Sequence, residues 1–300
     1  MKPEFICIGA QKAGTTWLYA RLNSHPEFSM PPKKEIHYFD RSPNCPSPND
    51  LAVTKASKRL KDPEYALRAC GKVLQSLVTG NLREARWWSR YYFKDYSDAW
   101  YRSLFELESG ITGDITPSYS ILEDADIARL HAVAPEAKLI FLLRNPIERA
   151  WSMYRFREKF GGAIDLDNLD EFKTFVESHS QTARSDYLRT IDRYLRYHDS
   201  DQMLLGFYDA LSEQPEALLS ALLTHLGAKN TEHRQGLEQF ENKSRQIEMP
   251  QAYRDYLESR YRDEMEQLAE RYGGYAARWL CPAPAADALQ PGLPPAVVRP

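Results

Sequence analysis

The stretch GAQKAGTT, residues 9–16, constrains this chain more than any other, because it follows directly on the apolar run FICI. An apolar segment ending in glycine reads as a short buried strand. TTWLYARLN (15–23) then reads as a helix stopped at His25-Pro26. Strand, Gly-flanked loop and helix together present backbone N–H groups to an anion at a helix N-terminus. Gly9 and Gly14 have the spacing of the phosphate loop G-x-x-x-x-G-K-[ST], but Thr15 stands where that loop carries its lysine. Lys12 sits inside the loop instead, and Thr15 and Thr16 add hydroxyl donors. Such a loop can grip an anion without reaching a γ-phosphate.

A second strand reads clearly in KLIFLL (138–143), which is followed by Arg144 and by Asn145-Pro146, a helix opening. An ATPase would place a magnesium-binding aspartate at that strand end, and here it is an arginine. Arg144 and Ser152 are eight residues apart, the serine about two turns into the helix. The pair can approach one phosphate, whereas Arg149 reads as a charge on the helix surface. Further strands are expected at 111–114 and 203–207. Helices are expected at 63–79, 121–134, 168–178, 184–198, 213–226 and 250–272. Strands alternating with helices imply an α/β fold with a mainly parallel sheet, which binds ligands at the carboxyl ends of its strands. Gly9 and Arg144 both occupy such ends.

Composition narrows the classes. A chain of 300 residues with 43% hydrophobic and 27% charged side chains fits one domain, expected over 1–281, with an aromatic helical insertion at about 50–105. RWWSRYYFKDYSDAWY (86–101) reads either as packing of that insertion or as a wall of the acceptor site. Net charge of −3 gives no global attraction to nucleic acid. Four cysteines show no metal-type spacing. The N-terminal apolar run is too short for a leader or a membrane span, so a cytoplasmic protein is expected. The Pro/Ala-rich segment 282–300 reads as a disordered tail.

FICIG, QKAGTTWL, KEIHYFD, TPSY and FLLRNPIERAWSMY, in that order, resemble the sulfotransferases that use 3′-phosphoadenosine 5′-phosphosulfate, in the branch that includes the heparan-sulfate enzymes. The resemblance runs from about Phe5 to Gly273. It implies a three-layer, doubly wound α/β sheet flanked by helices, related to nucleotide kinases. It implies a phosphosulfate donor and no metal. Lys12, Ala13, Gly14, Thr15 and Thr16 would hold the 5′-phosphosulfate, with Trp17 near the nucleotide, and Arg144 and Ser152 would hold the 3′-phosphate. Lys243, Ser244 and Arg245 match the late loop that closes over the nucleotide, although serine replaces the family's glycine.

Sulfuryl transfer needs a base for the acceptor proton and positive charge near the departing bridge oxygen. Lys12 can supply the charge. The resemblance puts a catalytic glutamate at Glu35, with His37 as the second choice of base and Lys34 supporting either. It also places Glu35, His37 and Tyr119 near the acceptor. Glycosaminoglycan enzymes often carry lysine before Thr-Pro-x-Tyr and a late disulfide; here Ile115 and a solitary Cys281 stand in their place. A small or amphipathic hydroxylated acceptor, such as a lipid, a glycoside or a polyketide-type metabolite, is expected, with an amine the less favoured acceptor group. Two rivals remain. A metal-dependent nucleotide kinase or NTPase would bind ATP with magnesium. A non-catalytic nucleotide-binding module would keep the loop and lose the base.

Overall fold

The computed structural model describes residues 2–300 except 43–44, 46, 48–50, 107–108, 163, 238–246 and 281–292. In chain order the elements are β1 (Phe5–Gly9), α1 (Thr15–Ser24), α2 (Ala56–Arg59), α3 (Pro63–Val78), α4 (Leu82–Phe93), α5 (Asp98–Ser103), β2 (Gly113–Ile115), a 3-10 turn (Pro117–Ile121) and α6 (Asp124–Val133). β3 (Lys138–Leu143), α7 (Pro146–Phe156), α8 (Leu169–Glu177), α9 (His179–Ser185), α10 (Tyr187–Tyr194) and β4 (Met203–Phe207) follow. α11 (Tyr208–Glu213), α12 (Pro215–Leu226), α13 (Gln251–Tyr272), α14 (Gly274–Arg278) and β5 (Val297–Val298) complete the chain.

The strands lie in the order β2-β1-β3-β4-β5. The first four are parallel and β5 is antiparallel to β4. Every residue of β1, β2 and β4 is buried, and β1 and β4 accordingly read as continuous apolar runs, whereas β2 carries the buried Asp114. Strand order reverses between β1 and β3, and the carboxyl ends on either side of that reversal form the crevice where open α/β sheets bind ligands.

Three expectations are corrected. The segment 282–300 is not a loose tail throughout: Val297 and Val298 pair with Gly206 and Leu205, and Arg299 donates to the carbonyl of Met203 at 3.0 Å. β4 would otherwise be an open sheet edge, and two β-branched residues suit an edge strand. The helix expected over 213–226 is α12 and starts two residues later, at Pro215, and a short helix not expected from the sequence, α11, precedes it. Arg149 is not a surface charge. It is fully buried and donates to the Ser185 hydroxyl (Nη2 to Oγ, 2.6 Å) and to Gln181. The aromatic segment resolves to packing: Trp87, Trp88, Tyr91, Tyr92, Tyr96, Trp100 and Tyr101 are all buried in the main core.

Candidate active site

β1 delivers its loop at the switch point. Lys12 has φ 71° and Gly14 has φ 91°, so the chain makes two left-handed steps before α1 begins. Glycine meets that demand at position 14, where a Cβ would also come within 2.9 Å of Leu211. Lysine at position 12 holds a strained conformation of the kind found at functional sites. No side chain caps the N-terminus of α1, and its first turn carries no acidic residue. A helix start of that kind suits an external anion. The Lys12 ammonium lies 3.9 Å from the centroid of the Phe156 ring, at the end of α7.

Arg144, one residue past β3, donates from Nη1 to the Lys12 carbonyl at 2.9 Å. Its guanidinium lies 4.3 Å from the centroid of the Tyr208 ring, and its own carbonyl accepts from the Tyr187 hydroxyl at 2.8 Å. The arginine expected at the second anion site therefore also braces the first loop. Ser152 is buried in α7. Trp17 is buried as well and reaches the Leu237 carbonyl at 3.5 Å, so α1 touches the chain just before residues 238–246. Lys243, Ser244 and Arg245 lie outside the described residues.

The segment Lys34–Asp40 is fastened to the carboxyl end of β2. Glu35 N–H donates to the Ile115 carbonyl at 3.1 Å, Ile36 N–H to Thr116 Oγ1 at 3.0 Å, and Tyr38 N–H to the Tyr119 hydroxyl at 2.9 Å. Beneath it, the fully buried Asp114 accepts from the hydroxyls of Thr116, Tyr119 and Tyr101 at 2.7, 2.9 and 3.0 Å. This corrects the place given to Tyr119. It has no exposed surface, and its hydroxyl is committed to Asp114 and Tyr38, so it positions the segment from below and does not face an acceptor.

Held this way, Glu35 (φ 64°) and His37 (φ 59°) are both left-handed. Their side chains join a chain of charges. Lys34 Nζ is 2.5 Å from Glu35 Oε1, Glu35 Oε2 is 3.5 Å from His37 Nε2, and His37 Nδ1 is 2.6 Å from Asp40 Oδ2. Ser47 also donates to Asp40. Burial raises the Glu35 pKa, but the His37 hydrogen bond and the Lys34 charge outweigh it and hold the carboxyl down at about 2. Burial likewise opposes charge on His37, but the Asp40 and Glu35 carboxylates outweigh it and lift the imidazole to about 9. At neutral pH the glutamate is the anion and the histidine the cation.

Of the expected site residues, Lys12, Ala13, Gly14, Thr15, Thr16 and Trp17 lie in the loop after β1 and the first turn of α1, Arg144 follows β3 and touches that loop, and Ser152 lies in α7. The structure sets Glu35 and His37 on the neighbouring strand end, since β2 pairs with β1 in register Cys7 with Ile115. Two residues were missed. Asp40, which fixes the charge of His37, stood three positions after it in KEIHYFD. Asp114, the latch for the segment, stood two positions before Thr116 in DITPSY.

A family model described as "Sulfotransferase family" matches residues 3–233. Among curated proteins, human heparan sulfate glucosamine 3-O-sulfotransferase 6 is 33% identical over 143 residues, 44% of this chain and 40% of its own length. Mouse heparan sulfate glucosamine 3-O-sulfotransferase 3A1 is 30% identical over 245 residues, 76% of this chain and 46% of its own. Rat carbohydrate sulfotransferase 15 is 27% identical over 164 residues, 51% of this chain and 27% of its own. The chain spans less than half the length of these relatives. Among solved structures, a sulfotransferase from Alicyclobacillus acidocaldarius superposes with a TM-score of 0.61 at 20% identity, covering 90% of this chain and 95% of that one. The sulfotransferase domain of the Synechococcus PCC 7002 olefin synthase superposes with a TM-score of 0.52 at 19% identity, covering 86% and 88%. These last two are likenesses of fold.

Proposed function

The chain belongs to the sulfotransferase family, and on that premise we propose that it transfers the sulfuryl group of 3′-phosphoadenosine 5′-phosphosulfate to a hydroxyl, with Glu35 as the base. The observation that carries the assignment is the Lys34–Glu35–His37–Asp40 chain. With both imidazole nitrogens facing carboxylates, His37 already bears its proton and cannot take another. Glu35 is the ionised group left to accept one. His37 orients the carboxylate, and Asp40 holds the imidazole.

In the transfer, the acceptor hydroxyl gives its proton to Glu35 while its oxygen forms the new bond to sulfur. The bond from sulfur to the bridging phosphate oxygen breaks, and its electron pair leaves with the bisphosphate. Lys12 and the amides at the start of α1 meet the charge developing there. Arg144 and Ser152 are assigned to the 3′-phosphate. A carboxylate held as low as Glu35 is a weak base while Lys34 grips it. Release of Lys34 toward the anionic donor would raise its basicity as the complex forms.

For the acceptor, a glycoside hydroxyl is the better supported class. The curated relatives are named for glucosamine and carbohydrate acceptors. Tyr119, expected near the acceptor, and the aromatic segment, one reading of which is a wall of the acceptor site, are both taken up by the core and so do not favour one acceptor class.

The donor assignment is tested by thermal shift. The bisphosphate product, 3′,5′-bisphosphoadenosine, should raise the melting temperature without magnesium, since it binds only the folded state, and ATP should do so far less. A shift with ATP and magnesium and none with the bisphosphate would overturn the assignment in favour of a kinase-like site.

A further inference from the structure

Helix α3 carries apolar residues on its outer side as well as on its inner one. On the inner side Ala69 and Ser76, seven positions apart, are buried, and Tyr65 and Val73 pack against the core. The outer side carries large apolar residues too. Leu67, Leu74 and Val78 fall at i, i+7 and i+11 on one face and are 76%, 61% and 79% exposed. Leu77 lies beside them, and Leu82 continues the apolar surface onto α4. An open groove of about 420 Å³ joins the two helices there, with Val73, Leu77, Leu82 and Ala85 on its walls. Single exposed leucines are ordinary. What needs explaining is the clustering: of nine large hydrophobic residues exposed among the described residues, seven lie between Val53 and Phe93.

The charge around this face has a sign. Residues 56–93 carry eight Lys and Arg against three Asp and Glu, while the rest of the chain carries 31 against 39. Lys58, Lys61, Arg68, Lys72 and Arg86 are exposed on this segment, against Asp62 and Glu64 as its exposed acids. Among the described residues, no helix is long and apolar enough to cross a membrane. From Leu67 to Val78 the stripe runs about 17 Å along α3 at ~1.5 Å per residue.

We propose that α3 and the start of α4 form a docking face that lies on an anionic lipid surface. Leu67, Leu74, Val78 and Leu82 would enter the boundary between headgroups and acyl chains, and the basic residues would meet the lipid charge. Charge complementarity selects this occupant. A second copy of the chain would set one basic face against another. An anionic polysaccharide would use the lysines and arginines and leave the leucine stripe in water. The face is also tied to the active site. On its inner side α4 sets the Tyr91 ring 5.7 Å from the Lys33 ammonium, and Lys33 donates to the Glu35 carbonyl at 2.9 Å. A surface met by α3 would thus lie on the side of the molecule that carries the base.

The test is flotation of the 300-residue chain with vesicles of phosphatidylcholine alone and of phosphatidylcholine with phosphatidylglycerol. At low salt the chain should partition at least about tenfold more strongly onto the anionic vesicles. Leu74→Asp with Val78→Asp should lower that partition at least about tenfold, with the melting temperature unchanged because both positions are exposed. Should that variant fail to fold, Lys61→Glu with Arg68→Glu must abolish the preference for anionic vesicles. Absence of flotation by the parent chain would overturn the proposal. So would equal flotation of the aspartate variant, or retention by a sulfated polysaccharide that is indifferent to the aspartates. Self-association that the aspartates dissolve would overturn it too, in favour of an interface between copies of this chain.

Discussion

At Glu35 and His37 two residues share a conformation that costs roughly 1–3 kcal/mol each, and a hydrogen-bonded backbone holds them in it. The strain brings carboxylate and imidazole together, and their charges then fix each other. Glu35→Gln should keep bisphosphate affinity and lower turnover by about 10²–10⁴, the usual share of a general base. His37→Ala should lower turnover less, because it removes a support and leaves the base. Turnover kept in Glu35→Gln and abolished in His37→Ala would reverse the two roles. The pH dependence follows from the same charges. Glu35 must be ionised to act, so activity in the free enzyme falls as pH drops through its low pKa. Lys34→Met removes one of the interactions holding that pKa near 2, so the acid limb of kcat/KM should move to higher pH. Stability carries the opposite pair of signs. The contribution of the raised His37 is complete below its ordinary value of 6.5 and is lost as pH rises through about 9. That of the lowered Glu35 is complete above 4.5 and is lost as pH falls through about 2.

Among the elements, the loop after β1 and the residue after β3 act as one unit, because Arg144 donates to the Lys12 carbonyl. Arg144→Ala should cost about 2–5 kcal/mol in bisphosphate affinity by calorimetry. It should also loosen the left-handed turn at Lys12, so turnover at saturating donor should fall as well. Unchanged affinity would remove Arg144 from the 3′-phosphate site. The elements were legible to different depths. β3 and β4 could be read to the residue, because strands buried on both faces are continuous apolar runs. The loop at 9–16 could be read because its glycines and lysine have fixed spacing. Most of α9 was missed, and the helix expected at 184–198 began too early because Asp186, which caps α10, looks like any polar helix residue. Arg149 was misplaced because a polar side chain reads as exposed until its partner is known, and Ser185 lies in another helix. Tyr119 was placed by the resemblance, which does not reveal that Asp114, five residues before it, takes its hydroxyl inward.

For the whole molecule, the decisive feature is that a sheet of four parallel strands ends on a short antiparallel one. Removing residues 293–300 should strip β4 of its neighbour, lower the melting temperature and promote aggregation, measured by light scattering on heating. An unchanged melting temperature would mean that the edge is protected some other way. The same pairing has a temporal side. Arg299 and Met203 are 96 residues apart in sequence. At a synthesis rate of roughly 5–20 residues per second, β4 leaves the ribosome about 5–20 s before the segment that covers it. During that interval a buried-type strand offers unpaired backbone to any neighbouring chain. The growing polypeptide is therefore open to mispairing there after the loop at 9–16 and Arg144 have been made, and a holding chaperone would matter most in those seconds.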